Sequence, residues 1–479
     1  MRFSPLGSTL LSLLIVVIGS VSGTLAQDSE DRFSIHGQLK NETAYRFVDP
    51  TAFTKILNIA RLEARYFPTS SFSVTAVLRT YYDAAYDVQK IDRIAPRKSS
   101  RTILSQNLTA EQIAALRIDN LREVEIRQKE TELKEIYADW SFRRLDLRFG
   151  KQIVRWGVVE GARVTDEINP LDFQEFILRE IQDRYIPLWM LKADMYYFDP
   201  YAIEILWIPE LKGHQPASKG SEWEQFQLLE NLKEPSQNLP NSEWAIKVSK
   251  PVGSWNVSGS YFYTWDDFPS SFRTVFGLGE FGVSPEVAFR PRYERLHIFG
   301  GTFTGPLGQV VLSGEAAYVA GKYFGTLFGR FNPVTGVVDG GNTLQLNLGE
   351  LQRDYAKYAL SADFRLFKTD FSLQIQQQYI FAYQPEIIQD RFDTILGAFA
   401  RQEGLYGRLT AELLLIYFIN DKEIMIRPKG TYQLTDAFKI AVGADIFEGT
   451  IGGPLPGEFH FAGFFKNNDR VYLELIYSF

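Results

Sequence analysis

Val471-Tyr472-Leu473-Glu474-Leu475-Ile476-Tyr477-Ser478-Phe479 closes the chain. Val471, Leu473, Leu475, Tyr477 and Phe479 fall on one side of an extended segment. Tyr472, Glu474, Ile476 and Ser478 fall on the other, more polar side. Successive side chains of a strand point to opposite faces, so this alternation describes a strand between two different environments.

The same pattern recurs back to Phe33. Ala60, Leu62, Ala64 and Tyr66 alternate with Arg61, Glu63 and Arg65; Leu145, Leu147 and Phe149 alternate with Asp146, Arg148 and Gly150. Further segments follow at 191–197, 201–208, 244–250, 255–265, 293–304, 309–319, 355–367, 371–381, 394–401, 405–420, 423–433 and 438–447. The pattern predicts about 18 strands, with 16 as the alternative. Numbered in order, the even connections are short, as at 143–144, 199–200, 368–370 and 402–404. The odd ones are mostly long, as at 83–131, 157–188, 209–243, 266–292, 320–354 and 449–469. Short turns on one rim and long loops on the other are the pattern of an all-β transmembrane antiparallel β-barrel. Its short turns are periplasmic and its long loops extracellular. Thr109 with Gln112, and Ser221 with Glu224, predict short capped helices in two of the long loops.

Composition fits that class. Aromatics make up 14% of 479 residues, and there is no cysteine, which excludes disulfides and thiolate metal sites. The net charge of −7 comes from mixed signs, with no basic stripe, so no nucleic-acid partner is expected. Arg2 followed by the apolar run 10–21 and by Thr24 and Ala26 reads as a secretory signal over 1–26. The remainder, 27–479, reads as a single barrel domain, because no Pro-, Ser- or Gly-rich linker divides it.

The two faces carry different chemistry. Trp140, Tyr197, Trp207, Trp255, Trp265 and Tyr477 sit near strand ends on the apolar face, as interfacial belts require. A soluble sandwich or propeller would hide its apolar face instead. The opposite face carries Arg61, Glu63, Arg65, Arg79, Asp139, Arg148, Asp194, Glu204, Lys357, Asp363, Arg365, Arg408, Glu412, Arg427 and Glu474. Arg or Lys at the bilayer midplane on a lipid face costs about 2–4 kcal/mol each, so this face is expected to line a polar, wet lumen.

The second long loop stands apart. Gly150-Lys151-Gln152 precedes Arg155-Trp156-Gly157; Val164-Thr165-Asp166 leads to Asn169-Pro170-Leu171-Asp172; and Ile186-Pro187-Leu188-Trp189-Met190 returns to a strand. Asn169 before Pro170 predicts a helix N-terminus, with Phe173, Phe176, Ile177 and Ile181 on one face. These motifs, GKQxxxWG, VTDxxNPLD and IPLWM, resemble an outer-membrane barrel family labelled domain of unknown function 1302, over Leu147 to Met190. The resemblance implies a porin-like or hydrophobic-solute channel, in some members linked to efflux. An ordered loop in a wide barrel either folds inward and constricts it or forms an external lid. The constriction candidates are Arg155, Trp156, Asp166, Asn169, Asp172, Arg179 and Arg184, the charged ones facing water or wall charges. The terminal strand ending on Phe479 likewise resembles the signal read by the barrel-assembly machinery.

No catalytic constellation is found. The four histidines, His36, His214, His297 and His460, lie outside any GxSxG, HExxH or phosphate-loop motif, and His36 and His297 have inward parity. Asp166, Glu167 and Asp172 match no calcium loop. No enzyme activity, cofactor or metal is expected. The sequence therefore reads as a bacterial outer-membrane channel for passive passage of small solutes, in contact with lipid and lipopolysaccharide. The alternative is a closed barrel that docks an export or efflux system.

Overall fold

The computed structural model describes residues 32–95, 126–218, 221–224, 232–276, 286–326, 330–332, 337–339, 349–450 and 460–479. The expected signal segment and the helix expected after Thr109 lie outside them. Eighteen strands form one antiparallel sheet. They are β1 (Phe33–Arg46), β2 (Ala52–Thr69), β3 (Phe72–Asp83), β4 (Lys129–Phe142), β5 (Leu145–Gln152), β6 (Leu188–Phe198), β7 (Tyr201–Ile208), β8 (Glu243–Val252) and β9 (Trp255–Trp265). The second half is β10 (Arg295–Leu307), β11 (Val310–Gly325), β12 (Glu350–Leu366), β13 (Thr369–Ile380), β14 (Phe392–Gly404), β15 (Leu409–Phe418), β16 (Glu423–Gln433), β17 (Phe438–Glu448) and β18 (Arg470–Ser478).

Each strand pairs with its sequence neighbour, and β18 returns to β1 in a register running from Gln38↔Ser478 to Arg46↔Arg470. Closure removes the free edge, whose unpaired N–H and C=O groups could not be hydrated in lipid. The last residue completes it: Gly37 N–H donates to the Phe479 carbonyl at 2.8 Å and Phe479 N–H returns to Gly37 at 3.0 Å. The Phe479 ring covers Gly37 so closely that a β-carbon there would lie 2.1 Å from it.

The alternation read from the sequence gives the wall its two faces. Leu62, Leu78, Ile246, Leu360, Leu373, Leu413, Val442 and Leu473 are exposed on the outside. Exposed aromatics flank this band: Trp140, Tyr197, Tyr201 and Tyr477 toward the short-turn rim, and Trp189, Trp244, Phe392 and Tyr417 toward the long-loop rim. His297 is a correction. It stands on the outer face, its Nδ1 2.9 Å from the Tyr261 hydroxyl, because its neighbour Ile298 takes the inward position.

Three further expectations change. The turn between β14 and β15 is 405–408, not 402–404, because Leu405 and Tyr406 take left-handed backbone angles (φ 50° and 59°). Arg408 therefore lies in a rim turn rather than on the lumen wall. The helix expected after Asn169 does not form; the described α-helices are single turns at Ala85–Val88, Ile91–Ile94 and Ile181–Arg184, beside 3-10 turns at Leu239–Asn241 and Gly463–Phe465. After Ser221 only one turn is seen, with Glu224 N–H donating to Ser221 at 3.3 Å; residues 225–231 lie outside the described set.

The lumen is layered, which the sequence reading did not foresee. On β6 to β11 the inward residues toward the long loops are mostly apolar and buried: Leu188, Met190, Leu206, Ile208, Ala245, Phe262, Leu296, Ile298, Ala317 and Val319, with Glu243 and Thr264 as a buried hydrogen-bonded pair above Ala245 and Phe262. On these strands Lys192, Asp194, Glu204, Lys247 and Ser258 lie nearer the short-turn rim, whereas on β1, β2 and β16 to β18 buried charges such as Arg46, Lys55, Glu423, Asp445 and Arg470 reach the long-loop end. The uniformly polar inner face expected from the sequence is therefore interrupted by an apolar sector on β6 to β11.

Candidate functional site

The apolar layer is covered by the loop between β5 and β6, residues 153–187. Val154, Trp156, Val159, Val164 and Ile168 pack into the same cluster as the wall residues above. Asn169, fully buried, ties the two ends of the loop together. Its side-chain oxygen accepts from Val154 N–H at 2.8 Å, and its amide nitrogen donates to the carbonyls of Gln152 (3.3 Å) and Ile186 (2.9 Å). This use of Asn169 explains the missing helix: an N-cap would spend the same oxygen on amides two or three residues downstream. Instead Leu171 bridges Tyr185, and Phe176 takes a positive φ of 54° and packs beneath Phe461 and Phe465.

The loop is bonded to the wall all the way round. The Lys55 ammonium of β2 donates to Glu175 at 2.6 Å. The Trp156 indole donates to Glu204 of β7 at 2.5 Å. Arg427 of β16 donates to the Leu178 carbonyl at 2.7 Å, and Lys357 of β12 pairs with Glu167. The densest contact is Glu315 on β11, a carboxylate only 3% exposed. It accepts from the N–H groups of Val158 (2.5 Å), Val159 (2.6 Å) and Thr165 (3.0 Å) and from the Thr165 hydroxyl (2.7 Å). Gly157 permits this approach, since a β-carbon there would sit 3.1 Å from the carboxylate. In a ring of eighteen strands, β2 and β11 are nine apart and so diametrically opposed, as are β7 and β16. A segment bonded at both pairs spans the ring of strands along its inner face.

Ion pairs extend these bonds. Glu175 also holds Arg179 at 2.9 Å, and Arg179 holds Asp172 at 2.7 Å. Arg163 bridges Glu167 (3.2 Å) and Asp267 (3.1 Å). Burial pushes the Glu175 carboxyl up, but Lys55, Arg179 and Arg470 outweigh it and hold it well below the usual carboxylate range. Glu167 is likewise lowered, burial being overcome by Lys357 and Arg163. His214 is held neutral by burial and by Arg163, and its Nδ1 accepts from Leu171 N–H at 2.8 Å.

The seven loop residues singled out from the sequence divide into three groups. Asp166, Asp172 and Arg179 do not meet wall charges; they brace the loop internally, with Asp166 accepting from Trp156 N–H at 3.0 Å and from the Tyr185 hydroxyl. Asn169 and Trp156 anchor it. Arg155 and Arg184 face a cavity of about 450 Å³ between the loop and Gln376 of β13. Arg155 is exposed, with its guanidinium 5.4 Å from the centre of the Tyr185 ring. Burial pushes the Arg184 guanidinium down to about 10, and Arg427 adds to the effect.

Among the wall residues, Arg65 pairs with Glu63 at 2.7 Å, and Arg61 lies 3.7 Å from the same carboxylate. Arg79 pairs with Glu132 (3.3 Å), Arg148 with Asp139 (2.6 Å) and Asp194 with Lys192 (2.8 Å). Arg365 meets Asp370 at 3.3 Å, and Asp363 accepts from Ser361 at 3.5 Å. Glu412 stands beside Lys429 in the ladder, and Glu474 points inward, 2.9 Å from Lys429 and 3.5 Å from Lys40. Arg427 pairs with Asp445 at 2.7 Å. Sequence reasoning did not foresee Lys55, Glu175 and Arg163 as site residues, and Glu315, which has inward parity, carried no sign that it anchors the loop. Nothing distinguishes them from other strand or loop charges until the loop is seen inside. Among the described residues no group of three His, Asp or Glu side chains could hold a metal ion.

The chain is thus an eighteen-stranded antiparallel β-barrel with the 153–187 loop packed against the inner face of its wall. The chain is a member of the family described as protein of unknown function DUF1302, whose sequence model matches residues 43–375. Solved barrels share its architecture. Acinetobacter baumannii OccAB2 aligns at a TM-score of 0.50 and 9% identity, over 94% of this chain and 98% of that one. Pseudomonas aeruginosa OccK8 (OprE) aligns at 0.49 and 9% over the same shares, and P. aeruginosa OpdK, solved with vanillate, at 0.48 and 8% over 94% and 99%. At such identities the likeness concerns the fold. No curated protein matches the chain.

Proposed function

We propose that this protein is an outer-membrane channel for passive passage of small solutes, with a pore narrowed by the 153–187 loop. One observation carries the reading: a single loop is bonded to opposed strands of a barrel wide enough for an aqueous channel. The charged half-lumen near the short-turn rim supplies the wet path, and the space beside Arg155 and Arg184 is the narrow part of it. The apolar outer wall and its aromatic flanks suit a bilayer.

A second reading is a sealed barrel that serves as a docking partner for an export system. It draws support from the dry apolar packing of Trp156, Val164 and Ile168 against β6 to β11. Single-channel recording of purified protein in planar bilayers separates the two. The channel reading expects small, steady conductance that increases when residues 157–187 are replaced by a short linker. No current from either protein defeats it in favour of the sealed barrel.

A further inference from the structure

The cavity beside the loop has a one-sided hydrogen-bonding character. Arg155, Arg163 and Arg184 all line it. Among the described residues, neither Arg155 nor Arg184 is ion-paired. Arg184 Nε and Arg163 Nη1 are buried without an acceptor, and they are the buried unpartnered side-chain atoms of the lining. Both are donors. Of the two acids on the lining, Asp166 is already engaged by Trp156 N–H and the Tyr185 hydroxyl, and Glu160 is exposed to solvent. Unmet buried guanidinium donors are unfavourable, and the group that satisfies them best is a planar, two-oxygen anion. Apart from Gln376, the remaining side chains of the lining are apolar, among them Phe173, Ile181 and the Tyr185 ring. A volume of about 450 Å³ is that of a small-molecule site.

The geometry points to a binding site for small monocarboxylates with an apolar body, the carboxylate held by Arg184 and Arg155 and the body against Phe173 and Tyr185. This inference rests on the channel reading for its role in transport, since the site would be the selective station along the path. Arg427, on the adjacent wall, adds positive potential behind Arg184 while paired to Asp445. A cation of the same shape would face two guanidinium groups, and a neutral analogue would leave their donors unmet.

Isothermal titration of the folded, detergent-solubilised barrel with benzoate, benzyl alcohol and benzylamine tests the site without requiring conduction. Benzoate is expected to bind saturably, and the alcohol and amine at least about tenfold more weakly. Arg184→Gln should lower benzoate affinity about tenfold, with partial rescue in Arg184→Lys, which restores charge but not the planar fork. Equal binding of the three ligands, or benzoate affinity unchanged in Arg184→Gln, overturns the site. In bilayers, benzoate should reduce the current of the native protein and leave Arg184→Gln unaffected. Benzoate binding with no current in any variant supports the site and defeats the channel reading. Current with no preference for benzoate does the reverse.

Discussion

Replacing Glu315 by alanine should release the loop while leaving the barrel standing. Glu315 accepts four hydrogen bonds, three from backbone amides of the loop, and is only 3% exposed. A hydrogen bond to a charged group contributes about 1.5–3 kcal/mol, so four sum to roughly 6–12 kcal/mol if additive. They are not additive: water entering the vacated space satisfies part of the donors, and a loss of about 3–5 kcal/mol in loop docking is the reasonable expectation. That corresponds to a population of undocked loop between about 10² and 10⁴ times larger. The β11 ladder itself is untouched, because Glu315 pairs through its backbone with Thr302 and Ala359. The assay is limited trypsin digestion of the folded protein, following by mass the cuts after Arg155, Arg163, Arg179 and Arg184. Cleavage should accelerate in step with the undocked population, with the heat-resistant mobility of the barrel retained. Glu315→Gln, which keeps one oxygen but turns an amide toward N–H donors, should fall between. Identical loop cleavage in Glu315→Ala and the native protein would refute the reasoning, since it would mean that the carboxylate does not hold the loop.

Three other outcomes follow from the same geometry. Lys357→Met removes one of two cations on Glu167 and should weaken loop docking by about 3 kcal/mol, read by the same digestion. Loop docking should also depend on pH in one direction. Glu175 and Glu167 are lowered in the folded state, so their contribution is complete above the ordinary carboxylate value of 4.5 and is lost as pH falls through the lower folded values. Hydrogen exchange of the 153–187 amides, corrected for its intrinsic pH dependence, should show a loosening step below that value, separate from any His214 step that begins below the ordinary histidine value of 6.5; no step below 4.5 would contradict the assignment. Gly37→Val should displace the Phe479 ring and weaken barrel closure by about 1–3 kcal/mol, seen as a lower unfolding temperature of the heat-modifiable band.

The strand order was legible because a half-exposed strand leaves a period-two mark, and all eighteen segments bear it. The loop was legible because Gly150, Trp156, Gly157 and Asn169 form a dense motif between two strands, although its helix was not. Asn169-Pro170 is ordinary cap chemistry locally, and only contacts with Val154 and Ile186 redirect the asparagine. Glu315 could not be chosen in advance, since its partners lie some 150 residues away and it looks like any other inward charge. The dry half-lumen did leave a trace. Alternation breaks into continuous apolar runs at Leu188–Leu191 and Ile205–Ile208, the places where both faces of the wall meet apolar surroundings.

A hoop of eighteen strands is easily squeezed out of round, because flattening its section bends the sheet without breaking a single ladder bond. The loop changes that mechanics. With fixings at Lys55, Glu204, Glu315 and Arg427 it works as a set of spokes across two diameters. Any squeeze along one diameter must stretch the fixings on the other. The cross-section of the wall and the docking of the loop are therefore one mechanical variable, so lateral pressure from the surrounding lipid bears directly on the space beside Arg155 and Arg184.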